Sequence, residues 1–298
     1  MASIGDDFVR VALIGAGPWA RHAIAPMLAR GPETRLTGIW ARRNMAAREL
    51  AAEHRCLAYS DLDELIGASD AVAFAVPPDV QAELAPVAIR AGKPILLQKP
   101  VAADVHTAAS LTTAVAAAGV PSMIALSWRF AAATRSFLAT ADQFKALGGR
   151  GLFVSGGHAR GVFRTPWRLA LGPLFDLGPH VFDLLDVTLG PISEITCRGH
   201  CGGLVTVVCE HASGTVSSAT LCATTKLSRY RAGIEIYSHD GVLELDCARI
   251  AFADSEAAMR REFAQLVRER RTVHPLDVSR GLQLQGYVAT AASQLAAS

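Results

Sequence analysis

The run Phe8-Val-Arg-Val-Ala-Leu-Ile14-Gly15-Ala-Gly17-Pro-Trp-Ala20 decides the architecture of this chain. Residues 8–14 are mostly apolar, as in a strand buried on both faces. Two glycines end that strand, and residues 19–30 then carry a helical pattern, with Pro26 expected to kink it and Gly31-Pro32 to stop it. In a strand–turn–helix of this kind each small residue has its own task. Gly15 permits the tight turn, Gly17 lets the backbone approach a pyrophosphate, and Ala20 lets the helix lie close on the strand. The free N–H groups and the positive end of the helix then face phosphate.

Working outward, the alternation continues. Strands are expected at 35–40, 57–59, 71–76, 95–97 and 123–126, and helices at 44–54 (capped by Asn44), 61–66, 79–91 and 104–118. Apolar strands alternating with helices imply parallel βαβ units, and right-handed crossovers give a doubly wound sheet. The second half changes character. Strands are expected at 153–158, 194–198, 204–210, 215–222, 232–237 and 242–245, several joined by turns such as Gly202-Gly203, Ser213-Gly214 and Asp240-Gly241. One helix, 179–189, interrupts them, and helices at 255–269 and 278–296 close the chain. The fold class is therefore α/β. A doubly wound parallel domain over 1–127 precedes an α+β domain over 128–298 with an open, mainly antiparallel sheet.

The chain has 298 residues, 51% hydrophobic and 19% charged, with a mean hydropathy of +0.27. That composition excludes a disordered protein. A net charge of +2, with no dense basic run, argues against nucleic acid as a partner. The long stretch without Asp, Glu, Lys or Arg, 105–128, contains His106 and a break at Gly119–Pro121, so no membrane span is expected. Residues 1–7 are polar and acidic and lack the blocks of a signal peptide, which points to the cytoplasm and to free thiols for the six cysteines. Cys197-Arg-Gly-His200-Cys201 has no second ligand pair at metal spacing, so no metal is expected there.

Three further segments carry chemistry. The second strand ends Ile39-Trp40-Ala41-Arg42-Arg43, with Ala41 where a site for NAD usually carries an acid. Arginines there pair with a 2′-phosphate and stack on adenine, which favours NADP and leaves NAD possible. Gln98-Lys99-Pro100 follows the fifth strand, at the carboxyl edge where doubly wound sheets bind ligands. Asp176-Leu-Gly178-Pro179-His180 is expected to open the isolated helix, with Pro179 at its first position and His180 in its first turn. The helix N-terminus would keep that imidazole neutral and able to accept a proton, with Asp176 orienting it or bonding a substrate hydroxyl. Arg168 is a candidate for substrate or cofactor, and Asp183 either faces the site or sits on the solvated side of its helix. The remaining histidines, His158 among them, carry no motif and receive no role.

In order and spacing these motifs resemble the Gfo/Idh/MocA family of NAD(P)-dependent oxidoreductases. The matching residues are the Gly15–Ala20 loop, Val76-Pro77-Pro78, Ala91-Gly92-Lys93-Pro94, Gln98-Lys99-Pro100, Trp167-Arg168 and Asp176-x-Gly178-x-His180-x-x-Asp183. The resemblance implies an N-terminal Rossmann domain and hydride transfer to or from a sugar, cyclitol or similar hydroxyl or carbonyl carbon. It also implies a homodimer or homotetramer formed through the C-terminal sheet. Lys99, Asp176 and His180 would be the catalytic set. With Arg168 they would bind the polyhydroxylated substrate. Gly15, Gly17, Pro18, Trp19, Ala20, Ala41, Arg42, Arg43, Pro77, Gln98 and Lys99 would hold the cofactor. The chemistry suits these types: His180 takes the hydroxyl proton and Lys99 holds the oxygen. The chain departs from the family at Gln98, where a glutamate is usual, at Gln81, where the family pattern has a histidine, and in its short second domain. A non-catalytic NADP-binding sensor on the same fold is the alternative, and redox-assisted glycoside cleavage a more distant one.

Overall fold

The computed structural model describes residues 8–295; the expectations for residues 1–7 and for the end of the last helix at Ala296 lie outside it. The chain divides into two compact units. One runs through Leu126 and takes back Glu256–Leu282, and the other comprises Ser127–Ser255 and the chain from Gln283 onward. The segment Glu256–Leu282, placed by the sequence reading in the second domain, therefore packs with the first. Gly281 shows why: a Cβ there would lie 2.4 Å from Val101 Cγ1 and 2.8 Å from Ile124 Cδ1, an approach open only to glycine.

The first unit is a six-stranded parallel sheet. Its strands are β1 (Val9–Ile14), β2 (Thr34–Trp40), β3 (Leu57–Ala58), β4 (Ala71–Phe74), β5 (Ile95–Leu97) and β6 (Ser122–Ile124), in the order β3-β2-β1-β4-β5-β6. Val11 to Ile14 and Ala71 to Phe74 are fully buried, as strands covered on both faces must be. Between them run α1 (Ala25–Ala29), α2 (Asn44–His54), α3 (Leu62–Gly67), α4 (Pro78–Arg90) and α5 (Val105–Ala118). The expected helix over 19–30 is not uniform. Residues Ala20–Ile24 form a wide turn in which Ala25 N–H reaches back five residues to the Ala20 carbonyl, just ahead of Pro26. Asp61 and Asp104 cap α3 and α5, accepting from Glu64 N at 2.9 Å and Thr107 N at 2.8 Å. Asn44 does not cap α2; Arg43 holds that position, without a side-chain bond.

The second unit is built on a mixed sheet of β7 (Gly148–Val154), β8 (Ile192–Gly199), β9 (Leu204–His211), β10 (Val216–Cys222), β11 (Arg231–Ser238) and β12 (Gly241–Leu245), in the order β12-β11-β7-β10-β9-β8. All pairs are antiparallel except β7 with β10. A helix the sequence reading lacks, α6 (Ala132–Ala141), precedes β7. The long helical run α7 (Pro166–Leu189) covers one face of the sheet, burying Val181, Phe182, Leu184 and Leu185. Each such side chain is worth about 1.5–3 kcal/mol. A Cβ on Gly151 would meet Val181 Cγ1 at 2.3 Å, so β7 is bare of side chains where α7 crosses it. The opposite face carries Arg150, Val208 and Val216, all exposed. The closing helices are α8 (Ala253–Arg268) and α9 (Val278–Leu295).

Candidate functional site

In the first unit the glycine loop leaves β1 at its carboxyl end. Gly15 has φ +121°, and a Cβ there would sit 2.4 Å from the Ala75 carbonyl oxygen. Its N–H donates to Trp40 O at 2.8 Å, tying the loop to the end of β2. Gly17 is the opposite case: a Cβ would meet nothing within 4 Å, so its backbone faces open space. Ala20 is fully buried beneath the loop. Pro18 and Trp19 are half-buried, as are Ala41 and Pro77. Arg42 and Arg43 are exposed in the turn between β2 and α2 and make no ion pair with a described residue.

Gln98 and Lys99 follow β5. The Gln81 side chain, fully buried, clamps the Gln98 backbone: its Oε1 accepts from Gln98 N at 2.7 Å, and its Nε2 donates to the Gln98 and Val101 carbonyls, both at 3.0 Å. The amide standing where the family pattern has a histidine thus fixes the loop's shape by bonds that need no titration. Gln98 Oε1 accepts from Trp19 Nε1 at 2.9 Å, which joins the glycine loop to the end of β5. Gln98 Nε2 is buried with no hydrogen-bond partner among the described residues. Lys99 is half-buried, and its bond to Pro100 is cis. A turn only glycine can make, an open backbone at Gly17 and an unanswered buried donor fit a dinucleotide laid over the loop. Gly15, Gly17, Trp19 and Gln98 are the residues so arranged, with Arg42 and Arg43 at the far end of β2.

In the second unit Asp176, His180 and Asp183 lie on α7. The spacings of four and three put them on one face of a helix. The helix does not begin where the sequence reading expects. Gly172, at φ +74°, makes the break, and Pro173 opens the segment that follows. His180 is therefore two turns inside the helix, and the argument that a helix N-terminus keeps it neutral does not apply. Pro179 sits in the interior, where its lack of an N–H removes one bond of the ladder. The His180 ring packs against Trp128, with centroids 4.8 Å apart, and lies 6.2 Å from Phe153. Phe153 in turn meets Tyr230 at 5.7 Å. Burial pushes the Tyr230 hydroxyl's pKa upward, so it stays a neutral donor and acceptor.

Asp176 is 8% exposed and held by two donors on one oxygen. His158 Nε2 lies 3.1 Å from Oδ2, and Arg168 Nε donates to the same atom at 3.2 Å. The Arg168 guanidinium is itself stacked 4.4 Å over the Trp167 ring and 5.4 Å over that of Phe163. Arg168 thus touches Asp176, and the half-buried Trp167 packs on Arg168. Asp183 is 1% exposed, and Arg129 Nη1 donates to both its oxygens at 3.0 Å; it does not sit on a solvated face.

The sequence reading missed His158. It falls in a turn after β7, not on the expected strand, and only a fold that returns that turn to α7 gives it a partner. Of the expected catalytic residues, Lys99 belongs to the first unit, and Asp176 and His180 to the second. Cys197 faces the core while Cys201 is exposed, and no group of three metal-ligating side chains is assembled among the described residues. No helix of the described residues is long and apolar enough to cross a membrane.

Comparison with known proteins agrees with the fold. Residues 9–126 match the model of the Gfo/Idh/MocA oxidoreductase family, NAD-binding Rossmann fold. A UDP-N-acetylglucosamine 3-dehydrogenase of Acidithiobacillus ferrooxidans is 32% identical over 103 residues, 35% of this chain and 32% of that one. A dehydrogenase of Fusarium mangiferae is 37% identical over 115 residues, again about a third of either protein. The match to a scyllo-inositol 2-dehydrogenase (NADP+) of Bacillus subtilis is longer, 24% identical over 88% of this chain and 89% of that one. Among solved structures, GenD2 from gentamicin A biosynthesis, in complex with NAD, superposes with a TM-score of 0.85 at 19% identity, covering 97% of this chain and 95% of its own. Over residues 9–126 the chain is similar to the NAD-binding Rossmann unit of the Gfo/Idh/MocA oxidoreductase family.

Proposed function

We propose that the protein is an oxidoreductase that moves a hydride between NADP and a hydroxyl or carbonyl carbon of a sugar, cyclitol or related polyhydroxylated molecule. The observation that carries this reading is the pair Asp176 and His180, one helical turn apart on α7, with the carboxylate fixed by His158 and Arg168. The substrate class rests on the relatives, named for an inositol and for a nucleotide sugar. The choice of NADP rests on Arg42 and Arg43, exposed at the end of β2 with Ala41 in the place of an acid.

When bound, the nicotinamide supplies the acceptor or donor of the hydride. This chain's residues handle the oxygen and the proton. In the oxidising direction a ring nitrogen of His180 takes the hydroxyl proton, and in the reducing direction gives it back. Lys99 holds the substrate oxygen and stabilises the charge that develops on it. Asp176, buried and held by His158 and Arg168, orients a hydroxyl or the imidazole. Trp128 and Phe153 pack against the His180 ring and restrict its rotation. The exposed face of the second sheet, with Val208 and Val216, is the surface on which a homodimer or homotetramer would form.

A panel of polyols and sugars with NADP+, and of their keto forms with NADPH, tests the reading. A substrate found in this way is expected to lose about 10²–10⁴-fold in kcat with His180→Ala while the cofactor still binds. Tight cofactor binding without turnover on a broad panel would overturn the enzymatic reading.

A further inference from the structure

Gln98 carries a buried donor that the protein itself does not answer. The orientation of its amide is not in doubt chemically. Trp19 Nε1–H can only donate, so the atom facing it at 2.9 Å must be Oε1, which leaves Nε2 as the orphan. The side chain cannot swing away at the backbone, because Gln81 clamps both the N–H and the carbonyl of Gln98. The residue is 8% exposed. A buried N–H without a partner is destabilising and calls for a partner that arrives later. Its place identifies that partner: the carboxyl end of β5, joined through Trp19 to the start of the glycine loop, in the half of the sheet (β4–β6) that takes the second mononucleotide of a dinucleotide.

Resting on the dinucleotide reading above, we infer that Gln98 Nε2 donates to an acceptor on the nicotinamide half of the cofactor. As an uncharged donor, it shifts the cofactor preference toward the reduced form relative to a carboxylate in its place. The oxidised ring is cationic and the reduced ring is neutral. A carboxylate at position 98 would attract the cation, whereas an amide bonds either form and attracts neither by charge. Gln98 thereby shifts the balance between the two cofactor states, relative to a carboxylate there, toward the form that reduces a carbonyl.

The test measures dissociation constants for NADPH and NADP+ by protein fluorescence, with thermal unfolding beside it, so nothing depends on a known substrate. The ratio of the two constants in the unmodified protein is the reference. Gln98→Met removes the donor without adding charge. Both forms should weaken, by about tenfold, with their ratio unchanged within twofold. Gln98→Glu, which keeps the acceptor for Trp19, should move the ratio about tenfold toward NADP+, equivalent to about 1.4 kcal/mol. Should Gln98→Met bind both forms as the unmodified protein does, the donor has no ligand and the inference falls, while the dinucleotide reading stands. An unchanged ratio in folded Gln98→Glu removes the bias. If Gln98→Glu does not fold, a ratio in Gln98→Met that moves by more than twofold overturns the charge argument, since methionine is as uncharged as glutamine. Binding of neither form by the unmodified protein overturns the dinucleotide reading itself.

Discussion

Two glycines in one loop, two residues apart, should fail in opposite ways when each is replaced by alanine. At Gly15 the φ of +121° is one that an L-residue adopts at a cost of roughly 1–2 kcal/mol. The added methyl would also stand 2.4 Å from the Ala75 carbonyl oxygen and 2.8 Å from its carbon. Those atoms belong to backbone held against β1 by the bond from Ala75 N to Ile14 O, at 2.8 Å, and have little room to move. Overpacking of this kind adds roughly 1–3 kcal/mol. Gly15→Ala is thus expected to destabilise the first unit by about 2–5 kcal/mol, a fall in melting temperature of roughly 5–15 °C. At Gly17 neither term applies, since no heavy atom lies within 4 Å and the backbone is not in the left-handed region. Gly17→Ala should melt within about 2 °C of the unmodified protein. Its methyl instead fills the space a pyrophosphate needs, at a cost of about 1–3 kcal/mol, or roughly 5- to 150-fold in affinity.

Thermal melts with and without saturating NADPH separate the two. A ligand at a hundred times its dissociation constant stabilises by about 2.7 kcal/mol. The unmodified protein should therefore gain several degrees on adding NADPH, and Gly17→Ala should gain almost none. Gly15→Ala should start low whether or not the cofactor is there. Equal losses of melting temperature in the two variants would refute the assignment of separate tasks. So would Gly17→Ala that binds NADPH within twofold of the unmodified protein.

Three other perturbations follow from the same geometry. Replacing Arg42 and Arg43 together by alanine removes the charges assigned to the 2′-phosphate. NADP+ should weaken by roughly 10- to 150-fold, the worth of one or two charge-assisted bonds, and NAD+ by less than twofold in a fluorescence titration; parallel losses would discredit the phosphate argument. Asp183→Asn leaves the Arg129 guanidinium without its counter-charge at a site where the carboxylate is 1% exposed, so urea unfolding should show a loss of about 3–5 kcal/mol, largely recovered by Arg129→Met with Asp183→Leu. A loss under about 1 kcal/mol would mean that the pair is not structural. The Asp70 carboxyl is held below its ordinary value chiefly by the Arg10 side chain, against opposing burial. Its contribution is thus complete above about pH 4 and disappears as the pH falls through its folded-state value. Asp70→Asn should accordingly reduce stability at pH 6 but narrow the difference from the unmodified protein at pH 3; a constant difference would refute the linkage.

The parts of the fold legible in the sequence are those where local pattern and tertiary role agree. Apolar strands between helices with glycine stops described the parallel sheet to within a residue or two, because burial on both faces leaves a strand no freedom of composition. The second unit was read less well, for two physical reasons. Gly148-Gly149-Arg-Gly151 has the composition of a loop, yet it is the start of β7, where the missing side chains make room for Val181 and Leu189 of α7. Proline was also the weaker punctuation in α7. The sequence offers two starts, Pro173 after Gly172 and Pro179 after Gly178. Only Gly172 takes a positive φ, with its Cα facing the Cys201 carbonyl so closely that a Cβ would lie 2.1 Å from the oxygen. That contact joins residues far apart in sequence and leaves no mark in local pattern.

The candidate site divides along the same line. Gly15 and Gly17 are readable because a strand–turn–helix fixes their spacing locally, Gln98 because it follows directly on a strand, and the spacing of Asp176 from His180 is the helical repeat itself. His158 is unreadable because its meaning comes entirely from Asp176, eighteen residues on, to which a turn after β7 delivers it at 3.1 Å. Arg168 shows the intermediate case. Its motif marks it as functional, but its Nε points at Asp176 and its guanidinium lies over two aromatic rings, so it acts on the carboxylate's position. The two donors on Oδ2 come from different stretches of chain, and each would leave the other in place if removed. A carboxylate held twice on one oxygen has its rotation about the Cβ–Cγ bond restricted even when one donor is lost. The geometry at Asp176 is thus more tolerant of single substitutions at its supports than at Asp176 itself.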